Sequence, residues 1–274
     1  MDLPLSDLLI FGALLLAAGA VAGITAGLLG VGGGIVIVPV LWHLFTTIGI
    51  DEAVRMKVAV GTSLATIIVT SVSSVRAHHR RGAVDFALLK SWGPWIFIGV
   101  LIGTAVASVV RGPVLTGVFA TVALVVSLHM GFGRQEWRIS HELPKGPVKG
   151  LLAAAIGGIS AMMGIGGGTL SVPTLTLFGY PVHRAVGTAA AIGFIIGIPG
   201  AAGFIISGWD VPNRPPASLG YINLLGFILI VPTSTLLAPY GARLAHGLNT
   251  KNLKRVFAVF LGFTALRMFY GLLF

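Results

Sequence analysis

Two glycine clusters set inside apolar runs constrain this chain most: Leu28-Leu-Gly-Val-Gly-Gly-Gly34 and Met162-Met-Gly-Ile-Gly-Gly-Gly168. Each is followed at the same distance by Val-Pro, at Val38-Pro39 and Val172-Pro173. A glycine inside a helix costs roughly 1 kcal/mol relative to alanine, so a cluster of them breaks a helix instead of extending it. Within a bilayer, freed backbone groups survive only where protein or a wet cavity satisfies them. The pattern therefore predicts two helix breaks that meet at a central site, the device by which secondary transporters bind ligands.

Composition identifies the surroundings as a bilayer. Mean hydropathy is +0.97 and only 9% of residues are charged, against about a quarter in soluble domains. Apolar runs such as 8–29 and 53–75 have transmembrane length. The formal charge of +10 sits in short loops, where basic residues orient a membrane protein; it is not a nucleic-acid signal. Cysteine is absent, which excludes disulfides, thiolate catalysis and sulfur-ligated metals. The first apolar run carries Asp2 and Asp7 where a signal peptide would be basic. It is expected to remain in the protein.

The chain is a duplication. Gly30–Pro39 matches Gly164–Pro173, and Ala59-Val-Gly-Thr62 matches Ala185-Val-Gly-Thr188. Further on, Gly82, Asp85, Pro94, Gly103 and Val118-Phe119 match Gly220, Asn223, Pro232, Gly241 and Val256-Phe257 at one offset. The fold class read from this is an all-α polytopic membrane protein built from two repeats, 1–147 and 148–274. Each has about five helical segments: 8–29, 34–47, 54–75, 84–110 and 114–132, then 149–163, 168–180, 185–207, 222–240 and 255–274. The short segments beside the glycine breaks are half-helix candidates.

Loop charge gives the orientation. Three basic stretches, Arg76–Arg81, Arg134–Lys149 and Arg243–Arg255, belong on the cytoplasmic side. The matched stretches of the other copy carry little charge: Ser207–Ala217 has only Asp210 and Arg214. Charge lies on opposite loops in the two copies, so the repeats are expected to be inverted, with both termini outside. Eight crossings with parallel copies is the alternative, and it would put some of the basic loops outside.

Few residues in this chain can carry chemistry. Thr62, Thr66, Thr70 and Ser74 recur every fourth residue and share one helix face. They form either a polar track or ordinary bonds to the preceding turn. Thr62 and Thr188 are matched and lie beside glycine, which makes them the leading substrate contacts. Backbone amides around Gly33, Gly34, Gly167 and Gly168 would hold an anion at helix N-termini without a buried positive charge. Ser63 completes the set. Lys57, His183 and Arg184 stand at the two mouths, either attracting anions or snorkelling to the interface. Asp85 and Asn223 read as N-caps. No nucleophile elbow or paired-histidine motif is present, and His78-His79 fits a solvated loop, so an enzyme is not expected. No cofactor or metal is expected either. With no embedded carboxylate evident, a coupling proton would ride on a histidine or on the anion itself.

Taken together, Gly27-Leu-Leu-Gly-Val-Gly-Gly-Gly34 with Pro39, Ala59-Val-Gly-Thr-Ser63, His79-Arg-Arg-Gly-Ala-Val-Asp85, Met163-Gly-Ile-Gly-Gly-Gly168 with Pro173, and Arg184-Ala-Val-Gly-Thr188 resemble the sulfite exporter TauE/SafE family of permeases. The resemblance runs from about residue 20 to the C-terminus. It implies a bacterial inner-membrane carrier that moves sulfite, sulfonates or related small organic anions, usually outward. A passive anion channel built on the same breaks is the alternative. The second copy departs from the pattern, with Thr188-Ala189 where the first has Thr62-Ser63, so a symmetric site is not implied.

Overall fold

The computed structural model describes residues 5–132, 139–140, 142–247 and 250–273, with side chains in 9–132, 139–140, 142–245 and 258–272. The element order is α1 (Leu5–Leu29), α2 (Gly34–Thr47), α3 (Glu52–His79), α4 (Phe86–Val109), α5 (Gly112–Phe132), α6 (Gly146–Met163), α7 (Gly168–Leu177), α8 (Val182–Ser207), β1 (Ser218–Leu219), β2 (Ile222–Asn223), α9 (Leu224–Gly247) and α10 (Thr250–Leu273). Among the described residues, seven helices are long and apolar enough to cross a membrane. The protein is a multi-pass helical membrane protein.

Local chemistry accounts for the helix ends. Asp51 Oδ1 accepts the Ala53 N–H at 2.9 Å and starts α3. Glu52 in its first turn and Arg76, His78 and His79 in its last complement the helix dipole. Asp85 Oδ1 accepts the Leu88 N–H at 3.0 Å and Asn223 Oδ1 the Gly226 N–H at 2.8 Å, so both expected N-caps are present. α2 and α7, at 14 and 10 residues, reach about 21 and 15 Å. Neither spans a hydrocarbon core of about 30 Å.

Glycine faces set the packing. α1 lies parallel to α9, with Gly19 on Ile230, Gly23 on Ser234 and Gly27 on Ala238 and Ala242. α6 lies parallel to α4, with Gly99 on Ala154 and Gly103 on Gly158. A Cβ at any of these α1 or α4 glycines would stand 2.5 Å or less from another atom. Such approach is what small-residue spacing in membrane helices permits. α3 runs antiparallel to α8, with Gly61 on Phe204, Gly197 on Leu64 and Gly193 on Ser71. α5 runs antiparallel to α10: Gly117 faces Leu272, and Ser127 Oγ donates to Ala258 O at 2.6 Å.

Several expectations change. The sequence placed His78-His79 in a solvated loop. Instead α3 continues to His79, and His78 is 1% exposed with Nε2 2.8 Å from Gly27 O. The reason is periodic: Ser74 and His78 extend the buried stripe by one more turn against α1. α9 runs to Gly247 through Pro239, past the expected end at 240. A short antiparallel hairpin, β1 on β2 with Gly220 at φ 56 in its turn, lies between α8 and α9. Arg134, Glu136 and Arg138, with the side chains of Lys251, Lys254 and Arg255, lie outside the described residues.

Candidate functional site

Both glycine clusters break their helices, and the two breaks touch. α1 ends with Gly30 at φ 67, its N–H on Ala26 O at 3.0 Å. α6 ends with Gly164 at φ 66, where Ile165 N–H reaches back to Ser160 O at 3.0 Å in a left-handed C-cap. A Cβ on Gly34 would stand 2.2 Å from Gly164 O, and one on Gly168 would stand 2.1 Å from Gly30 O. Gly166 would meet Gly32 Cα at 2.9 Å. Backbone thus packs on backbone, which only glycine allows. The two break-following positions differ: Gly33 is left-handed at φ 81, while Gly167 is helical at φ −56.

The predicted contacts divide into three places. Ser63 joins the breaks directly, its Oγ donating to Gly164 O at 2.6 Å beside Gly34. Thr62 is instead at the α9 start, its Oγ1 accepting the Asn223 N–H at 2.8 Å. Thr188 is at the α4 start, its Oγ1 accepting the Asp85 N–H at 3.0 Å and also meeting the Tyr180 hydroxyl. Gly33, Gly34, Ser63, Gly167 and Gly168 are therefore brought together, and the two threonines brace the helix junctions on either side. Along the rest of the α3 stripe, Thr66 and Thr70 bond to the preceding turn, while Thr70 also meets Ser234 Oγ at 3.0 Å. Ser74 Oγ contacts Ala26 O at 3.4 Å.

The expected mouth residues also find specific partners. Lys57 is 7% exposed, so it does not snorkel; its Nζ donates to Ser108 O at 2.9 Å and lies 5.7 Å from the Tyr221 ring centre. Arg184 holds Asp85 Oδ2 at 2.9 Å, and the Tyr180 hydroxyl donates to the same oxygen. Burial alone pushes the Asp85 carboxyl up. The Tyr180 and Leu88 hydrogen bonds and the Arg184 charge outweigh it and hold the group below its ordinary value. Tyr180 is pushed up to about 12, chiefly by burial and then by Asp85. His183 is exposed in the first turn of α8.

Sequence reasoning missed a group of hydroxyls around the second break. Ser71, Ser160, Thr169 and Ser171 are each 2% exposed or less, with no hydrogen-bond partner for the side-chain oxygen. Ser71 Oγ and Gly167 N lie 2.8 and 3.7 Å from the point a Gly193 Cβ would occupy. The positions matching Ser160, Thr169 and Ser171 in the first copy are Ala26, Ile35 and Ile37. Comparing the two copies at these positions would have exposed the difference. A buried hydroxyl left unpaired costs about 1–3 kcal/mol, so this region calls for water or a polar ligand. Among the described residues no three His, Asp or Glu side chains cluster as a metal site.

The model of the family described as Sulfite exporter TauE/SafE matches residues 15–268. The chain belongs to that family. A probable membrane transporter protein of Haemophilus influenzae is 35% identical over 93% of this chain and 97% of the relative. A second from Bacillus subtilis is 29% identical over 94% and 97%, and a third from Methanocaldococcus jannaschii is 27% identical over 87% and 86%. No solved structure matches. This TauE/SafE member is a membrane transporter, not an enzyme.

Proposed function

We propose that this TauE/SafE protein is a secondary carrier for a small sulfur oxyanion or organosulfonate in the bacterial inner membrane. It works by alternating access between inverted halves, 1–147 and 148–274. The carrying observation is the contact of the two breaks, which brings the starts of α2 and α7 and the unpaired hydroxyls together where α3 crosses α8. Helix N-terminal amides stabilise anions through their donors and the dipole, without a buried cation. The anion sits off-centre toward the second break, held by the amides of Gly167 and Gly168 with Ser71 and Thr169. Gly33, Gly34 and Ser63 form the opposing wall. Thr62 and Thr188 act through the junctions they brace, and Lys57, His183 and Arg184 act at the mouths.

Helix directions support the inverted arrangement: α3 opposes its matched α8, and α5 opposes its matched α10. Residues Gly30–Pro39 are all buried, which favours an occluded carrier over an open channel. The test is flux of labelled sulfite and methanesulfonate into proteoliposomes. Saturable uptake that accelerates when unlabelled substrate is loaded on the far side is the expected result. Uptake without counterflow would make the protein a channel, and no uptake of either anion would remove the substrate class.

A further inference from the structure

A groove of about 440 Å³ opens between α3 and α9, away from the glycine breaks. Its floor is apolar, formed by Ile68, Val69, Val72 and Pro239, and Arg76 and Arg80 stand at its head. Both arginines are exposed, and neither guanidinium has an ion-pair or hydrogen-bond partner among the described residues. They are four positions apart, Arg76 in the last turn of α3 and Arg80 at its helical C-cap, and so share one face. No carboxylate lines the groove. Thr235 does, and its enclosed Oγ1 has no hydrogen-bond partner. Ser73 Oγ on Thr235 O at 2.9 Å ties α3 to α9 at this level.

We propose that this groove binds one anionic phospholipid from the leaflet on the Arg80 side. The phosphate lies on Arg76 and Arg80, an acyl chain runs down Val72, Val69 and Ile68, and the Thr235 hydroxyl donates to an ester carbonyl below the phosphate. The dimensions match. Ile68 and Arg80 stand twelve positions apart, about 18 Å along the helix, and one leaflet's hydrocarbon is about 15 Å deep. A free oxyanion would have no use for the apolar floor. Leu236, 69% exposed beside Thr235, puts this flank of α9 against lipid. The positions matching Arg76 and Arg80 in the second copy are Ala202 and Ile206, so the charge is confined to one leaflet. Two arginines near a headgroup at about 1 kcal/mol each correspond to about thirtyfold in affinity.

The experiment is native mass spectrometry of the full chain in detergent, titrated with phosphatidylglycerol and, separately, phosphatidylethanolamine. One phosphatidylglycerol should bind well above the neutral-headgroup lipid, and the double variant R76Q/R80Q should lose about thirtyfold. Val72→Trp, which fills the groove and leaves both arginines, should also displace the lipid. Thr235→Val should weaken binding in the wild-type chain and weaken it further in R76Q/R80Q. Equal binding by R76Q/R80Q would overturn the site, and so would retention by Val72→Trp, since the arginines would then be holding lipid at the surface only. Displacement by millimolar inorganic phosphate would make it a free-anion pocket and overturn the lipid assignment. Thermal melts of each variant separate lost binding from lost fold. The result does not depend on which substrate is carried.

Discussion

The backbone N–H of Asp85 donates to Thr188 Oγ1 at 3.0 Å, and that of Asn223 donates to Thr62 Oγ1 at 2.8 Å. Cap residue and threonine come from different halves of the chain in both cases, so each hydroxyl fastens a helix start of one half to a long helix of the other. Thr62→Val strands the Asn223 amide at a buried site and should cost about 1–3 kcal/mol. Thr188→Val should cost less, because Asp85 is only partly buried. Thr62→Ser and Thr188→Ser should restore most of both. Thermal unfolding of purified variants checks the order. Serine variants as unstable as valine variants would show that the methyl, not the hydroxyl, matters.

Gly34→Ala and Gly168→Ala should be severe, because the new Cβ meets carbonyl oxygens of the opposing break at 2.2 and 2.1 Å. Backbone on both sides cannot yield as a side chain would, so the cost lies at or beyond the upper end of about 1–3 kcal/mol for overpacking. Gly117→Ala meets only Leu272 Cδ1 at 3.9 Å. It should be neutral or mildly stabilising, as helix propensity dictates. Yield of monodisperse protein after membrane extraction gives the comparison.

The Asp85 cluster sets an acid limit. Its carboxyl lies below the ordinary value, so its contribution is complete above about pH 4 and is lost as pH falls through the folded-state value. Tyr180 runs the opposite way, its contribution complete below about pH 10 and lost as pH rises through about 12. Between pH 5 and 8 neither changes. Tyr180→Phe removes a hydrogen bond that lowers the Asp85 value, so the variant should be less stable near neutral pH and should lose less stability than wild type on acidification below about pH 4. Melting curves from pH 3 to 7 that superimpose for wild type and Tyr180→Phe would contradict this.

Topology can be labelled without background, since the chain has no cysteine. Arg80→Cys and Arg243→Cys should react with an impermeant maleimide from one side of the membrane. Asn213→Cys and Glu52→Cys should react from the other, as the contact of Asn213 Nδ2 with Asp51 Oδ2 at 3.2 Å puts their loops together. Reaction of residues 80 and 243 from opposite sides would rule out inverted halves.

Much of the fold was legible because membrane sequences state it in a coarse code: long apolar runs, glycine where backbone must bend, and caps such as Asp85 and Asn223. The end of α3 was not, since Arg76, His78, His79 and Arg80 read as a solvated loop. A buried histidine facing Gly27 O is visible only when α1 is placed beside it. The cross-chain hydrogen bonds of Thr62 and Thr188 were hidden for the same reason. Their partners lie about a hundred residues or more away, and one chain gives no local sign of which amide a hydroxyl will meet.

What the sequence determined by itself was the apolar spans, the recurring glycine motifs and the two breaks, each a consequence of short-range backbone cost or of apolar length. What only tertiary structure decided was which groups meet: Gly34 on Gly164, Gly168 on Gly30, Arg184 on Asp85, and four hydroxyls left unpaired around the second break. Helix formation is settled within a turn or two. Partner choice depends on where distant helices cross, and that crossing is fixed only when glycine faces close on one another.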